Sequence, residues 1–395
     1  MTTVFVLGLF DTGLAVVRAL GRNGIPVRGF DYRGSNFGFK SRYGTHMVCP
    51  NPTTEEDAAI EFLREQARIA GPPVYVMPSS DAFLLMVSRR REDLAGLFEW
   101  VLPPKETVED VVDKRRQYAR ARDIGIPVPE THYPSSLDEV DALSLRLDYP
   151  VMVKPEVGHL WREQFKKNKG VRIEDRESLL ALYREIFAAG MFAMVQSLIL
   201  GPNTNHYKLS AFMDGNNEPV AAICLRKLRQ FPIDFGVGCL MESIRDEEVE
   251  ALGLRFLRGL QWRGTGSVEF KRDDRDGQLR LIELNPRLWQ QNALAEACGL
   301  NFPWIQYEMM CGRRPRPGPY RVGVKWLDEF RDPQSAWRHH QAGLLTLGGY
   351  LNSLRGIGCF ALWARDDLGP FKAALADYGR GALRRLTGRR RAAQN

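Results

Sequence analysis

The chain has 395 residues, 44% hydrophobic and 26% charged, a balance that excludes a disordered or fibrous polypeptide and supplies apolar material for more than one core. Its formal charge of +7 is concentrated in the terminal stretch RGALRRLTGRRRAAQN, and the remainder is close to neutral. A polyanion grip over the whole surface is therefore not implied, and no nucleic-acid partner is expected. Six cysteines (Cys49, Cys224, Cys239, Cys298, Cys311, Cys359) fall without a CxxC pair or a histidine at ligand spacing, which points to reduced thiols in a cytosol and away from zinc.

In chain order, TVFVLGL is a short apolar run of β-formers, followed by FDTG, a helical pattern LAVVRALGRNG and a second strand PVRGFD. Strand, glycine turn, helix and strand predict the first βαβ unit of a parallel sheet. Gly8 and Gly13 do not complete a G-x-G-x-x-G fingerprint, so they read as a tight turn rather than a dinucleotide site. Asp11, Thr12 and Gly13 break the apolar start too early for a signal peptide or membrane span. PVYVMPSSDAFLLMVSRRRE repeats the strand, loop and helix, with Pro78, Ser79, Ser80 and Asp81 at the strand's carboxyl end. Ligands bind at that edge of α/β sheets, and the same residues also start helices.

Between residues 103 and 134 the texture changes to a polar helix and IPVPET, marking a boundary. YPVMVKPEVG then presents Lys154 before Pro155, and the helix RESLLALYREIFAAG follows. MFAMVQSLILGP, YKLSAFMDGNNEPVAAICLRK and GSVEFKRDDRDGQLRLIELN alternate like antiparallel strands joined by Asn, Asp and Gly turns. The expected organisation is an α/β domain over 1–105, an α+β domain over 106–315, and a C-terminal extension over 316–395 that opens with PRPGPY and closes with a basic helix.

The chemistry centres on the hairpin of GSVEFKRD and LRLIELN. Alternation predicts Leu281, Glu283 and Asn285 on one face and Ile282 and Leu284 on the other, and either turn register leaves Glu269 on the face of Glu283. Two carboxylates and an amide on one face are either a solvated surface or an oxygen-only set suited to Mg²⁺. Lys154 at a strand end is an ordinary surface charge when alone. With Lys114, Arg226, Lys227 and Arg229 on neighbouring elements, it belongs to the cation set a triphosphate requires.

DKRRQYARARDIGIPVPET, YPVMVKP, MVQSLILGP, LRKLRQ, GSVEFKRD and IELNPR, in this order, resemble the ATP-grasp superfamily, in particular its D-aspartate-ligase-like and exopolysaccharide-associated carboxylate–amine ligases. The resemblance covers roughly residues 1 to 315. It implies the ATP-grasp fold: an N-terminal parallel-sheet (pre-ATP-grasp) domain, a small linker lobe and a C-terminal antiparallel-sheet lobe, with ATP between the two lobes of 106–315. It further implies that Lys114 and Lys154 contact phosphates, that Gln196, Ser197, Leu198 and Ile199 form the strand meeting adenine, and that Glu269, Glu283 and Asn285 hold Mg²⁺ (or Mn²⁺). Arg287 would stabilise an acyl phosphate or its tetrahedral successor, and Arg226, Lys227 or Arg229 would hold the transferred phosphate or a substrate carboxylate. Where many members carry a glycine-rich phosphate loop, this chain has EVGHLWREQFKKNKG, in which Lys166, Lys167 and Lys169 between Gly158 and Gly170 read either as a phosphate cover or as a solvated loop.

The implied reaction joins a small-molecule or envelope-precursor carboxylate to an amine with release of ADP and phosphate, in the cytoplasm, by an enzyme of a kind that is commonly dimeric. An ATP-grasp carboxylase using bicarbonate and a non-catalytic ATP- or nucleic-acid-binding protein are the alternatives. In the C-terminal stretch Phe371, Leu375 and Tyr378 stand at helical spacing, with Leu383 and Leu386 among arginines beyond. That pattern reads as a helix docked on the protein body or as a peripheral contact with an anionic membrane.

Overall fold

The computed structural model describes residues 1–155 and 170–392. The expectations placed on Gly158, Lys166, Lys167 and Lys169, and on the side chains of Leu383 and Leu386, fall outside what is described.

Strands β1 (Val4–Leu7), β2 (Val27–Asp31), β3 (Thr45–Val48), β4 (Val74–Pro78) and β5 (Phe98–Glu99) form a parallel sheet in the order β3-β2-β1-β4-β5. All four residues of β1 are buried because helices cover both sheet faces, which is why VFVL is a continuous apolar run rather than an alternating one. The strand order reverses at β1, so the crevice lies beyond the carboxyl ends of β1 and β4, at Gly8–Gly13 and Pro78–Asp81. A Cβ on Gly13 would sit 1.8 Å from the Gly8 carbonyl oxygen, so the close turn requires glycine there. Ser80 precedes the helix Asp81–Arg89 without a side-chain capping bond, and Asp81 is engaged elsewhere.

A second, four-stranded antiparallel sheet contains β6 (Thr131–His132), β7 (Val151–Pro155), β8 (Val171–Ile173) and β9 (Ala193–Ser197), in the order β6-β9-β7-β8. Its apolar face, including Val151, Val153 and Val195, packs on the helices Leu137–Ser144 and Arg176–Ala188 through Val140, Leu179, Tyr183 and Ile186. Both helices begin at a side-chain cap, Ser136 and Asp175 respectively.

The third sheet has seven strands. β10 (His206–Met213), β11 (Pro219–Phe231), β12 (Val237–Ile244), β13 (Gly264–Arg272) and β14 (Leu279–Asn285) pair antiparallel, and β15 (Lys325–Leu327) and β16 (Ile357–Phe360) extend the sheet beyond β12 in the order β14-β13-β10-β11-β12-β15-β16. One face packs on the helices Lys114–Ile124 and Glu247–Gly259 through Tyr118, Phe256, Phe270 and Leu281. The other shares a core with β1, β4, Trp289, Phe302 and Trp326. Residues 316–395, distinct in sequence texture, thus supply two strands of this sheet.

The helix Gly369–Ala392 lies against the protein body at its start: Phe371 and Ala374 join Leu14, Phe330 and Leu362, and Tyr378 stacks on Phe330 at 4.5 Å. Leu375 is exposed, so Phe371, Ala374 and Tyr378, rather than Leu375, form the seated face. Arg18 and Asp367 form a buried ion pair at 2.9 Å, and Ser41 and the Arg42 amide also donate to Asp367. No helix among the described residues is long and apolar enough to cross a membrane.

Candidate active site

β13 and β14 place Glu269 directly opposite Glu283 and Ser267 opposite Asn285. The pairing slips by one residue between Glu269 and Phe270, so Ile282 is the extra residue of a β-bulge. The bulge corrects the alternation expected from sequence: Leu281 turns into the core with Leu279 and Leu284, whereas Ile282, Glu283 and Asn285 line the cleft. The neighbouring helix holds this arrangement. Gln117 accepts from the Leu284 amide and donates to the Leu284 carbonyl, and the Tyr118 hydroxyl donates to the Ile282 carbonyl at 2.9 Å. Lys114 lies three and four residues before these anchors, hence on the same helix face, and its Nζ comes 3.2 Å from Glu283.

Two adjoining cavities, of 260 and 120 Å³, meet at Glu269, Glu283, His206, Lys227 and Gly236. The smaller is lined by Lys114, Lys154, Lys271 and Gln196–Ile199, with Met152, Phe235 and Ile282 as apolar walls. The larger contains Asn285, Arg287, Lys208, Trp289 and Gln290, together with Phe10, Asp11 and Thr12 from the turn after β1. Lys154 donates to Gln196 at 2.6 Å, and Gln196 donates in turn to Thr131, which fixes the lysine to β9. Arg287 leaves the strand after Pro286 and donates to Asp81 at 2.7 Å, joining the hairpin to the parallel-sheet domain.

Electrostatics explain how two facing carboxylates coexist. Burial works to raise the Glu269 carboxyl, but the Lys208 ammonium 2.8 Å away, together with that of Lys227, overrides it and holds Glu269 below the ordinary carboxylate range. Glu283 pushes the Lys114 ammonium upward in return. The Asn285 amide lies 3.3 Å from Glu269 and 3.5 Å from Glu283, bridging the pair. Two carboxylates and a carboxamide, one residue on β13 and two on β14, form an oxygen donor set of the kind a hard divalent cation takes alongside phosphate oxygens. Among the described residues, no group of three or more His, Cys, Asp or Glu is arranged as a metal site, so the donor set rests on the amide as its third member. His206 is driven well below its ordinary pKa by burial and by Lys227, Lys271 and Lys154, and stays neutral beside them.

Lys114, Lys154, Lys227, Gln196, Ser197, Leu198, Ile199, Glu269, Glu283, Asn285 and Arg287 therefore converge on one cleft. Arg226 and Arg229 do not. Arg226 pairs with Glu242 on β12 at 3.0 Å, and Arg229 forms a buried bidentate pair with Asp332 at 2.7 and 2.9 Å. β11 is irregular at Lys227, Arg229 and Gln230, so strand parity misplaces Arg229. Sequence reasoning missed Lys208, His206, Lys271 and Arg331. A lysine inside the apolar strand YKLSAFM was the available signal, since β10 lies beside β13 and Lys208 faces Glu269.

The architecture defines the class of fold: a parallel-sheet domain, a small antiparallel lobe and a larger antiparallel sheet with a cleft between the lobes are the ATP-grasp arrangement. Residues 240–312 match the family described as carbamoyl-phosphate synthase L chain, ATP binding domain. The chain is 24% identical over 255 residues to the D-aspartate ligase of Enterococcus faecium, across 62% of this chain and 60% of that one, so it spans less than two thirds of that relative's length. In fold it resembles the biotin carboxylase domain of Hydrogenobacter thermophilus 2-oxoglutarate carboxylase, solved with MgADP and bicarbonate (TM-score 0.63, 17% identity, 82% of this chain and 73% of that one). It also resembles the L-amino acid ligase of Bacillus licheniformis (TM-score 0.61, 18% identity, 82% and 78%).

Proposed function

We propose that the chain is an ATP-dependent carboxylate–amine ligase that uses Mg²⁺ or Mn²⁺. The observation that carries this reading is the position of Glu269 and Glu283, which line both cavities at their junction. The smaller cavity has the apolar walls an adenine needs, from Met152, Leu198, Ile199 and Ile282, and Lys114 and Lys154 lie toward the junction where phosphates would follow. Glu269, Glu283 and Asn285 would hold the cation, which when bound supplies charge neutralisation for phosphoryl transfer.

In the larger cavity, Lys208, Lys227 and Arg287 provide the positive lining that orients a carboxylate beside the terminal phosphate. Attack of that carboxylate on the γ-phosphorus releases ADP and gives an acyl phosphate. An amine then adds to the acyl carbon, phosphate leaves, and the amine's proton passes to solvent. Arg287, which lines this cavity, would stabilise oxyanion charge in both steps. Neither step requires a Ser, Cys or His nucleophile. The two amino-acid ligases among the relatives support an amine acceptor.

A cytoplasmic homodimer serving cell-envelope or exopolysaccharide synthesis, with peripheral membrane contact through the six arginines of residues 380–391, completes the reading. The bicarbonate in the carboxylase neighbour keeps one competing chemistry in view. Both are tested by ADP release with Mg²⁺ across a matrix of amino acids and uronic or peptidoglycan carboxylates. Turnover that requires a carboxylate and an amine together supports the ligase. Turnover with bicarbonate and no added organic carboxylate overturns it.

A further inference from the structure

The buried Arg229–Asp332 pair anchors a helical hairpin of which the cleft uses only the first residue, Arg331. The helix Arg331–Gln341 seats Asp332, Ser335 and Ala336, with the Ser335 hydroxyl donating to the Gln230 carbonyl. Tyr350, on the following helix Leu347–Ser353, lies over the Arg229 guanidinium at 5.1 Å. The opposite side carries Trp337, Leu344, Leu347 and Leu351, each between 59% and 71% exposed.

These side chains are not displayed by fraying. Gly343 takes a positive φ of 72°, the Leu344 amide returns to the His339 carbonyl, and His340 bonds the Leu345 carbonyl at 2.9 Å. Thr346 caps the second helix by accepting from the Gly349 amide at 3.0 Å. A well-capped turn therefore holds leucine in water, and exposed large apolar groups gathered on one feature mark an interaction surface.

Charge selects the partner. None of the chain's 48 acidic residues lies between 333 and 365, whereas Arg338, Arg355 and Arg365 do, together with His339 and His340. Arg338 and Arg355 are exposed on the hairpin itself. Leucine and tryptophan alongside arginine, in a stretch from 333 to 365 that contributes no carboxylate of its own, are complementary to the headgroup and upper acyl region of an anionic bilayer. We propose that the hairpin of residues 331–355 is a lipid-binding surface that seats the enzyme on anionic membranes, by an element separate from the arginine-rich end of the chain.

The full chain is to be sedimented with phosphatidylcholine vesicles with and without phosphatidylglycerol. Three variants accompany it: Trp337→Ser/Leu344→Ser/Leu347→Ser/Leu351→Ser together, Arg338→Glu/Arg355→Glu together, and a deletion of residues 380–395. Thermal melting confirms that each is folded. The full chain is expected to bind only the anionic vesicles, both hairpin variants to lose at least about tenfold in affinity, and the deletion to retain the hairpin's share. Because Arg338 and Arg355 are both exposed, loss of binding in a folded variant reports the surface. The proposal is overturned by absent vesicle binding, by binding that survives both hairpin variants, or by a concentration-dependent dimer that the serine variant abolishes, which would assign the surface to a second copy of the chain.

Discussion

Replacing Glu283 by glutamine keeps the side chain's shape and removes one of the two negative charges at the junction of the cavities. The effect on the fold is small. The Lys114 partner at 3.2 Å gives a gross attraction of about 5 kcal/mol at an effective dielectric of about 20. Because 40% of the lysine side chain is open to solvent, the net contribution falls to about 1 kcal/mol or less. Relief of repulsion with Glu269, directly opposite, offsets part of that. The melting temperature is therefore expected to move by a few degrees at most. The effect on chemistry is large, because loss of a metal ligand exceeds the roughly 10- to 100-fold loss in metal affinity seen for second-shell changes. ADP release should fall by at least about 10²-fold, or about 2.7 kcal/mol in barrier, and the Mg²⁺ dependence should shift to higher concentration. The assay is coupled ADP release over a Mg²⁺ titration, with a melt on the same preparation. A folded Glu283→Gln protein with unchanged turnover at limiting Mg²⁺ would refute the assignment of this pair to the metal.

Lys154→Met should raise the KM for ATP by about tenfold or more with little change in melting temperature, measured by the same assay; an unaltered KM would separate Lys154 from the nucleotide. Arg229→Met should behave in the opposite way, leaving the KM for ATP in place while unfolding moves by about 3–5 kcal/mol in denaturant titration, because Asp332 is left buried without its partner. His206, held neutral in the fold, should make the protein lose stability as pH falls below about 6.5, where the unfolded chain takes up a proton that the native site refuses. The slope approaches about 1.4 kcal/mol per pH unit, and His206→Asn should flatten it in melts between pH 7 and 5.

The parallel sheet and the hairpin that pairs Glu269 with Glu283 were legible because each depends on local period and turn chemistry. VFVL and VYVM read as strands of a βαβ sheet, and either hairpin register left Glu269 and Glu283 on one face. What escaped depends on partners distant in sequence. The bulge at Ile282 is held by Gln117 and Tyr118, more than 160 residues away, and it reverses the side of Leu281. Arg229 looked like a phosphate ligand because Asp332, 103 residues on, is invisible to pattern reading. Lys208 was passed over because a lysine in an apolar strand signals a buried charge but does not name the carboxylate opposite it until the neighbouring strand is known.

The tie between Arg18 and Asp367 spans 349 residues and is matched by Asp11 with Arg331 across 320. Both join the first helix region to segments more than 300 residues downstream. The chain must therefore hold its opening βαβ unit without these clamps until residues 331 and 367 have emerged, and closing so long a loop is slow. Completion of the larger cavity thus waits on residues far down the chain, and a nascent chain arrested before residue 331 carries its carboxylate pair but not the arginine that pairs with Asp11 in the lining of that cavity.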